Sequence, residues 1–221
     1  MSTMTIEQRL GVEIKPGVIS MRILDFDCEC RPVSWYGGDW VTKQITAIAW
    51  KYTDERAKVQ PRVAVIGESF DSRQVLEEEA RMLEAFVEEY SRADVVTGHF
   101  ITGFDLPLVN GSLMRLGLPG LPDKLAQDTK GDLAKAQGLS KSQESLGAMF
   151  GQSRPKIHMN TALWHRANLL LPDGIEFAKE RVIGDVNQHI QLRQIMLDAG
   201  VLGPPSVWSA RAGHGSTKYQ P

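Results

Sequence analysis

Cysteine is nearly absent from these 221 residues; the two present are Cys28 and Cys30. Two positions apart on one extended stretch, they are badly placed to bond each other, and no second Cys/His pair at zinc-finger spacing accompanies them. A disulfide framework is thereby excluded, and both are read as reduced core thiols. Long apolar runs are missing as well. No stretch approaches the roughly 18 residues that suggest a membrane span, and the opening MSTMTIEQRL lacks a basic region followed by an apolar one. A soluble, intracellular protein with no membrane partner is expected. Positive charge is not in excess either: 25 Lys and Arg stand against 27 Asp and Glu, a formal net charge of -2. That argues against a polycation that coats nucleic acid, while leaving room for a local basic groove. No internal repeat is visible. What is present is an apolar content of 42%, enough for a sizeable core in one domain with appendages.

Turn-prone stretches, YGGD and TDER among them, separate three runs rich in Val, Ile and aromatics: MRILDFDC (21–28), QITAIAWKY (44–52) and RVAVIGE (62–68). They predict three strands in a meander. DSRQVLEEEARMLEAFVEEYSRA follows, with Asp71 or Ser72 as N-cap and an apolar stripe of Val75, Leu76, Leu83, Phe86 and Val87 at helical spacing. Next come a strand in DVVTG (94–98), a helix in FDLPLVNGSLMRLG, a strand in KLAQDT (124–129) and a mostly helical third from about Ser142 to Gly200. This order is that of a ribonuclease H-like α/β fold, a mixed five-stranded sheet flanked by helices. The expected domain covers residues 19–202, with an N-terminal arm over 1–18 and a flexible tail over 203–221. The tail is rich in Gly, Pro and Ser; its Arg211, His214 and Lys218 are either merely solvated or a contact to nucleic acid or a partner.

The stretch RILDFDCECR (22–31) poses the chemical question. Alternate residues of a strand share a face, so Asp25, Asp27 and Glu29 lie on one side while Leu24, Phe26, Cys28 and Cys30 lie on the other. Three carboxylates on a strand that otherwise reads as core need something positive on their side, because a buried, unpaired charge costs several kcal/mol. One candidate arrangement is a two-metal phosphodiester hydrolase, which needs about four carboxylates around two divalent ions. A simpler candidate for Glu29 is a surface pair with Arg31, worth about 0 to 1 kcal/mol.

The residues that carry a family likeness are FDCEC (26–30), TGHFITGFDLPLV (97–109) and VIGDVNQHIQL (182–192). In that order they resemble the three motifs of the DEDD, or DnaQ-like, 3′-to-5′ exonucleases, above all the exonuclease domain of family B DNA polymerases. The resemblance implies metal ligation by Asp27, Glu29, Asp105 and Asp185, with two Mg²⁺ or Mn²⁺ ions. Asp27 would bridge them, Glu29 and Asp185 would complete the site that activates water, and Asp105 would hold the ion on the leaving side. It further implies hydrolysis of single-stranded or frayed DNA from a 3′ end to nucleoside 5′-monophosphates, in replication or repair. A stand-alone enzyme, or one working with a separate polymerase or repair protein in a bacterial or virus-infected cytoplasm, is expected. Asp25 is outside the ligand positions and is read as a supporting acid.

Two departures stand beside the likeness. The family places a Tyr four residues before the last Asp, or a His five before it, to orient or deprotonate the attacking water; here those positions hold Arg181 and Glu180. Arginine stays protonated, so Arg181 can hold a phosphate or an acid but cannot act as a base. Arg181 itself, Glu180, and His189 one turn after Asp185 are the candidates for orienting water. Phe100 replaces the family's usual Asn, next to His99 and before Phe104, the three being candidates for substrate contact. Trp35, Tyr36 and Trp40 lie on the Gly-containing loop after the first strand and could stack the bases of a frayed end or fold back to complete the core. His158 and His165 read as polar packing. Two other functions remain open on the same fold: a nucleic-acid or partner-binding module weakened in catalysis through Arg181 and Phe100, and an RNA-directed nuclease.

Overall fold

In the computed structural model, which describes residues 21–34, 41–67, 72–133, 138–152 and 160–211, the Val-, Ile- and aromatic-rich runs are strands. They are β1 (Ile23–Ser34), β2 (Val41–Tyr52), β3 (Arg62–Val65), β4 (Val95–Gly98), β5 (Lys124–Asp128) and β6 (Ser206–Trp208). The helices are α1 (Ser72–Arg92), α2 (Asp105–Arg115), α3 (Thr129–Asp132), α4 (Gln143–Met149), α5 (Thr161–Asn168) and α6 (Pro172–Asp198). The sheet order is β3-β2-β1-β4-β5-β6. The first three strands are an antiparallel meander, β4 and β5 add in parallel, and β6 closes the far edge antiparallel to β5. This is the mixed sheet and flanking helices of a ribonuclease H-like α/β fold.

Two boundaries differ from expectation. The sheet has six strands rather than five, because Ser206–Trp208, in the segment read as a tail, pairs with Lys124–Ala126. Three residues are too few to show an alternating pattern, so the free edge of β5 decides this strand rather than its own composition. The β1–β2 hairpin also runs on to Ser34 and Val41, past the runs of apolar residues that announce it. Of the other expectations for the termini and loops, Trp35, Tyr36, Trp40, His158, His214 and Lys218 lie outside the described residues.

Alternation along the hairpin assigns its two faces. Leu24, Phe26 and Cys28 of β1 join Ile48, Trp50 and Tyr52 of β2 in the main core, against Leu83, Phe86 and Tyr90 of α1. The Phe26 and Phe86 rings lie 4.8 Å apart, centroid to centroid, within the range where tilted aromatic pairs attract. The opposite face carries Ala47 and Ala49, both fully buried against Val182 and Val186 of α6. In register these alanines stand across from Glu29 and Asp27. Their small side chains let the 27-residue helix α6 lie close to the acidic face of β1.

β4 is only 4 residues long and pairs with β1 over Ile23–Asp25 alone. It stops at Gly98, where a Cβ would stand 2.9 Å from the Phe26 carbonyl oxygen and 2.1 Å from Ile101 Cγ2. The chain then turns away, and α2 starts in the space that a longer β4 would have filled. No helix among the described residues is long and apolar enough to cross a membrane.

The close approach of α6 predicts the effect of enlarging one alanine. Ala49→Leu should destabilise the fold by about 1–3 kcal/mol through overpacking, read as a lower urea midpoint with little change in slope. An unchanged midpoint would mean that α6 does not rest on β2 as described.

Candidate metal centre

β1 and α6 run in opposite directions, and their repeats match. Two residues of strand advance about 6.6 Å and four residues of helix advance about 6 Å. A stripe at alternate positions of β1 therefore meets a stripe at every fourth position of α6. The strand contributes Asp25, Asp27 and Glu29; the helix contributes His189, Asp185 and Arg181. Arg181 Nε donates to Glu29 Oε1 at 2.6 Å and stands 3.9 Å from Asp185 Oδ2. His189 Nδ1 lies 2.6 Å from Asp25 Oδ2. Between these two contacts, Asp27, Glu29 and Asp185 bring one oxygen each to within 4.8 Å of one another.

Positive charge on the acidic face is thus supplied by the chain itself. Glu29 pairs with Arg181 across the helix and not with Arg31, whose guanidinium goes to Gln44 Oε1 at 2.8 Å and the Asn168 carbonyl at 3.0 Å. The Arg181 guanidinium has its other side on α5, 5.2 Å from the Trp164 ring centroid. A bulge falls just after Glu29: the register skips from Glu29↔Ala47 to Cys30↔Ile45, and the skipped Thr46 donates its hydroxyl to the Glu29 carbonyl at 3.2 Å. Such bulges re-aim the side chains beside them.

Asp105 arrives from a third element. Past Asp25 the edge of β1 has no β4 partner, and buried backbone N–H groups need acceptors; the Cys28 N–H donates to Asp105 Oδ1 at 3.2 Å. Asp105 therefore stands on the strand edge between Asp27 and Glu29, outside the group whose oxygens lie within 4.8 Å. Burial pushes its carboxyl up to about 7; the Cys28 amide opposes that shift, and the charges of Glu29 and Asp128 add to it.

Beyond the triad runs a hydrogen-bond chain, buried at His189 and Thr129 and reaching the exposed Lys141 through the half-buried His99. His189 Nε2 lies 2.9 Å from Thr129 Oγ1, which is 3.0 Å from His99 Nδ1, and His99 Nε2 is 2.8 Å from the Lys141 carbonyl. A carbonyl only accepts, so His99 Nε2 carries a hydrogen. Burial, foremost, lowers the His99 pKa to about 4, so its Nδ1 is a bare acceptor facing a Thr129 hydroxyl that also reaches the Gly98 carbonyl at 3.3 Å. Thr129 has one hydroxyl proton for these neighbours, and its oxygen can accept as well as donate. On its other side His189 faces Asp25, whose carboxyl is raised by burial and held back by His189. His189 is 2% exposed with both nitrogens so engaged, which argues against the expected role in orienting water.

The other expected residues divide. Glu180 is exposed on α6 and His165 exposed on α5. Phe100 is 42% exposed at a positive φ of 74°, a conformation that disfavours side chains with a Cβ and suits the family's Asn better. The turn is held by Asp128, whose carboxylate accepts from the Phe100 and Thr102 amides at 2.9 and 3.1 Å and from the Thr102 hydroxyl at 2.6 Å. Lys130 Nζ sits 3.8 Å from the Phe100 ring centroid, and Lys43 Nζ sits 4.3 Å from that of Phe104. Asp128 and Thr129 were hidden at the end of the expected strand KLAQDT. Their one signal is that Asp is a favoured N-cap; Asp128 caps α3 through the Lys130 and Gly131 amides.

No family model matches this chain, and no curated protein matches it. Among solved structures, that of the family B DNA polymerase from the hyperthermophilic archaeon Pyrobaculum calidifontis superposes with a TM-score of 0.58 at 20% identity. The match covers 82% of this chain and 25% of the polymerase, so the chain spans about a quarter of that protein's length. The likeness is one of fold.

The lowered His99 pKa has a stability consequence. An unfolded chain binds more protons than the folded one between about pH 6.5, the ordinary histidine value, and about 4, so stability is lost as pH falls through that window. Denaturant titrations from pH 7 to 4 should show wild type losing up to roughly 3 kcal/mol that His99→Gln does not lose. Parallel curves for the two proteins would refute the neutral, half-buried His99.

Proposed function

We propose that this chain is a metal-dependent 3′-to-5′ exonuclease that releases nucleoside 5′-monophosphates from single-stranded or frayed DNA. The observation that carries the reading is the meeting of Asp27, Glu29 and Asp185, from two elements far apart in sequence, with oxygens within 4.8 Å of one another. An all-carboxylate donor set fits hard divalent cations, so Mg²⁺ or Mn²⁺ is the cofactor this reading takes. Asp27, Glu29 and Asp185 would hold the ions together with Asp105, which reaches the same stretch of β1 from its edge. Bound there, two ions would neutralise charge on the scissile phosphate and lower the pKa of the attacking water.

The chain's own residues would do the positioning. Phe104 and the exposed Phe100 offer ring faces at the start of α2, and base stacking on such rings contributes about 1–3 kcal/mol per base. Lys43 and Lys130, each above one of these rings, can turn to backbone phosphates as a strand enters. His99, bonded to Thr129 and Lys141, would hold the loop that carries Phe100. Glu180, exposed on α6, is the remaining candidate for orienting water. A separate polymerase or repair protein is the partner this reading expects, in the cytoplasm. A second reading, a nucleic-acid-binding module without turnover, is favoured by one contact: the Arg181 guanidinium on Glu29.

Incubation of the protein with 5′-labelled single-stranded DNA and RNA, with Mg²⁺, Mn²⁺ or EDTA, separates the readings. The exonuclease should give a ladder of shortening products from DNA that EDTA abolishes. Asp27→Ala and Asp185→Ala should each slow it on the order of 10²-fold or more, as loss of a main electrostatic contribution does. Binding without cleavage under every metal would leave the module, and a ladder from RNA alone would reassign the substrate.

A further inference from the structure

We propose that Arg181 is a tethered counter-ion that competes with divalent metal for Glu29 and Asp185, and that a phosphodiester draws it away so that metal and nucleic acid bind cooperatively. The inference rests on the metal centre of the proposed function and adds the regulation of its assembly. Arg181 Nε holds Glu29 Oε1 at 2.6 Å and stands 3.9 Å from Asp185 Oδ2, with the three side chains only 14%, 13% and 2% exposed. Salt screens such enclosed charges weakly. The guanidinium is rooted one helical turn before Asp185, so it is present in every folded molecule, whatever the metal concentration. It also engages a Glu29 oxygen that an incoming cation would use.

The same group has a natural second partner. Guanidinium presents a planar fork of donors that matches a phosphate oxygen pair as well as it matches a carboxylate. Trp164, 5.2 Å from the guanidinium, gives it a surface to lie on while it exchanges partners. A phosphate that takes the guanidinium frees Glu29 for metal, and a metal that takes Glu29 frees the guanidinium for phosphate. Linkage makes that coupling equal in both directions. A chain without substrate would then hold its metal weakly and complete the centre only on a strand end.

Titration calorimetry of Mn²⁺ into the full chain tests this, with wild type, Arg181→Ala and Arg181→Lys, each with and without saturating thymidine 5′-monophosphate. Arg181→Ala should bind Mn²⁺ roughly tenfold tighter than wild type, within the ~5–150-fold span of ordinary couplings. Arg181→Lys, which keeps the charge, should stay near wild type. The nucleotide should tighten Mn²⁺ binding to wild type by a clearly larger factor than to Arg181→Ala, where only direct metal–phosphate attraction remains. Equal or weaker Mn²⁺ binding by Arg181→Ala overturns the counter-ion and leaves the metal centre standing; no Mn²⁺ binding by any of the three removes both. Should Arg181→Ala fail to fold, the Arg181 Nε–Hε resonance of wild type, assigned by its loss in Arg181→Lys, should move on adding Mg²⁺. A resonance that stays put at saturating Mg²⁺ overturns the proposal.

Discussion

Carboxylates that share one face of a buried strand repel, and the fold is arranged around that repulsion. Two unit charges no more than 4.8 Å apart, as the Asp27, Glu29 and Asp185 oxygens are, repel by roughly 3 kcal/mol or more at an effective dielectric of 20. The chain answers with α6, whose every-fourth-residue stripe is commensurate with the every-second-residue stripe of β1. Arg181 and His189 take the outer acids, and Asp185 goes to the middle. Ala47 and Ala49 on β2 make the approach possible by leaving the helix room.

The second constraint is the early end of β4. A longer strand would have paired the β1 edge near Cys28; a strand that stops at Gly98 leaves that edge to Asp105. The loop between the two is fixed by Asp128, which gathers the Phe100 and Thr102 amides and caps α3 with the same carboxylate. Thr129 then ties this loop to His189 and hence to α6. Three parts of the chain far apart in sequence are thus joined near the acids by backbone-to-side-chain hydrogen bonds and one buried hydroxyl.

Much of this was legible in the residues. Alternation gave the three-strand meander and its two faces, helical spacing gave α1, and the three short motifs brought Asp27, Glu29, Asp105 and Asp185 to attention in order. The stripe Arg181, Asp185, His189 is legible too, but only once β1 is known to lie opposite, since spacing along a helix names a face and not its neighbour. That is why Glu29 was open to pairing with Arg31 when it pairs with Arg181, and why Asp25 meets a histidine. β6 was hidden because three residues carry no period, and Asp128 because an N-cap at a strand's end looks like strand. Charge compensation by the chain itself was the least visible feature: Arg181 reads as a missing Tyr until its partner is in place.

Diffraction from crystals of the full chain grown with saturating Mn²⁺, with data collected at the manganese absorption edge, tests the central claim most directly. The account predicts an anomalous peak among the carboxylates of residues 27, 29 and 185, with the Arg181–Glu29 contact broken. A map with no peak there, and the Arg181 guanidinium still on Glu29, would contradict it.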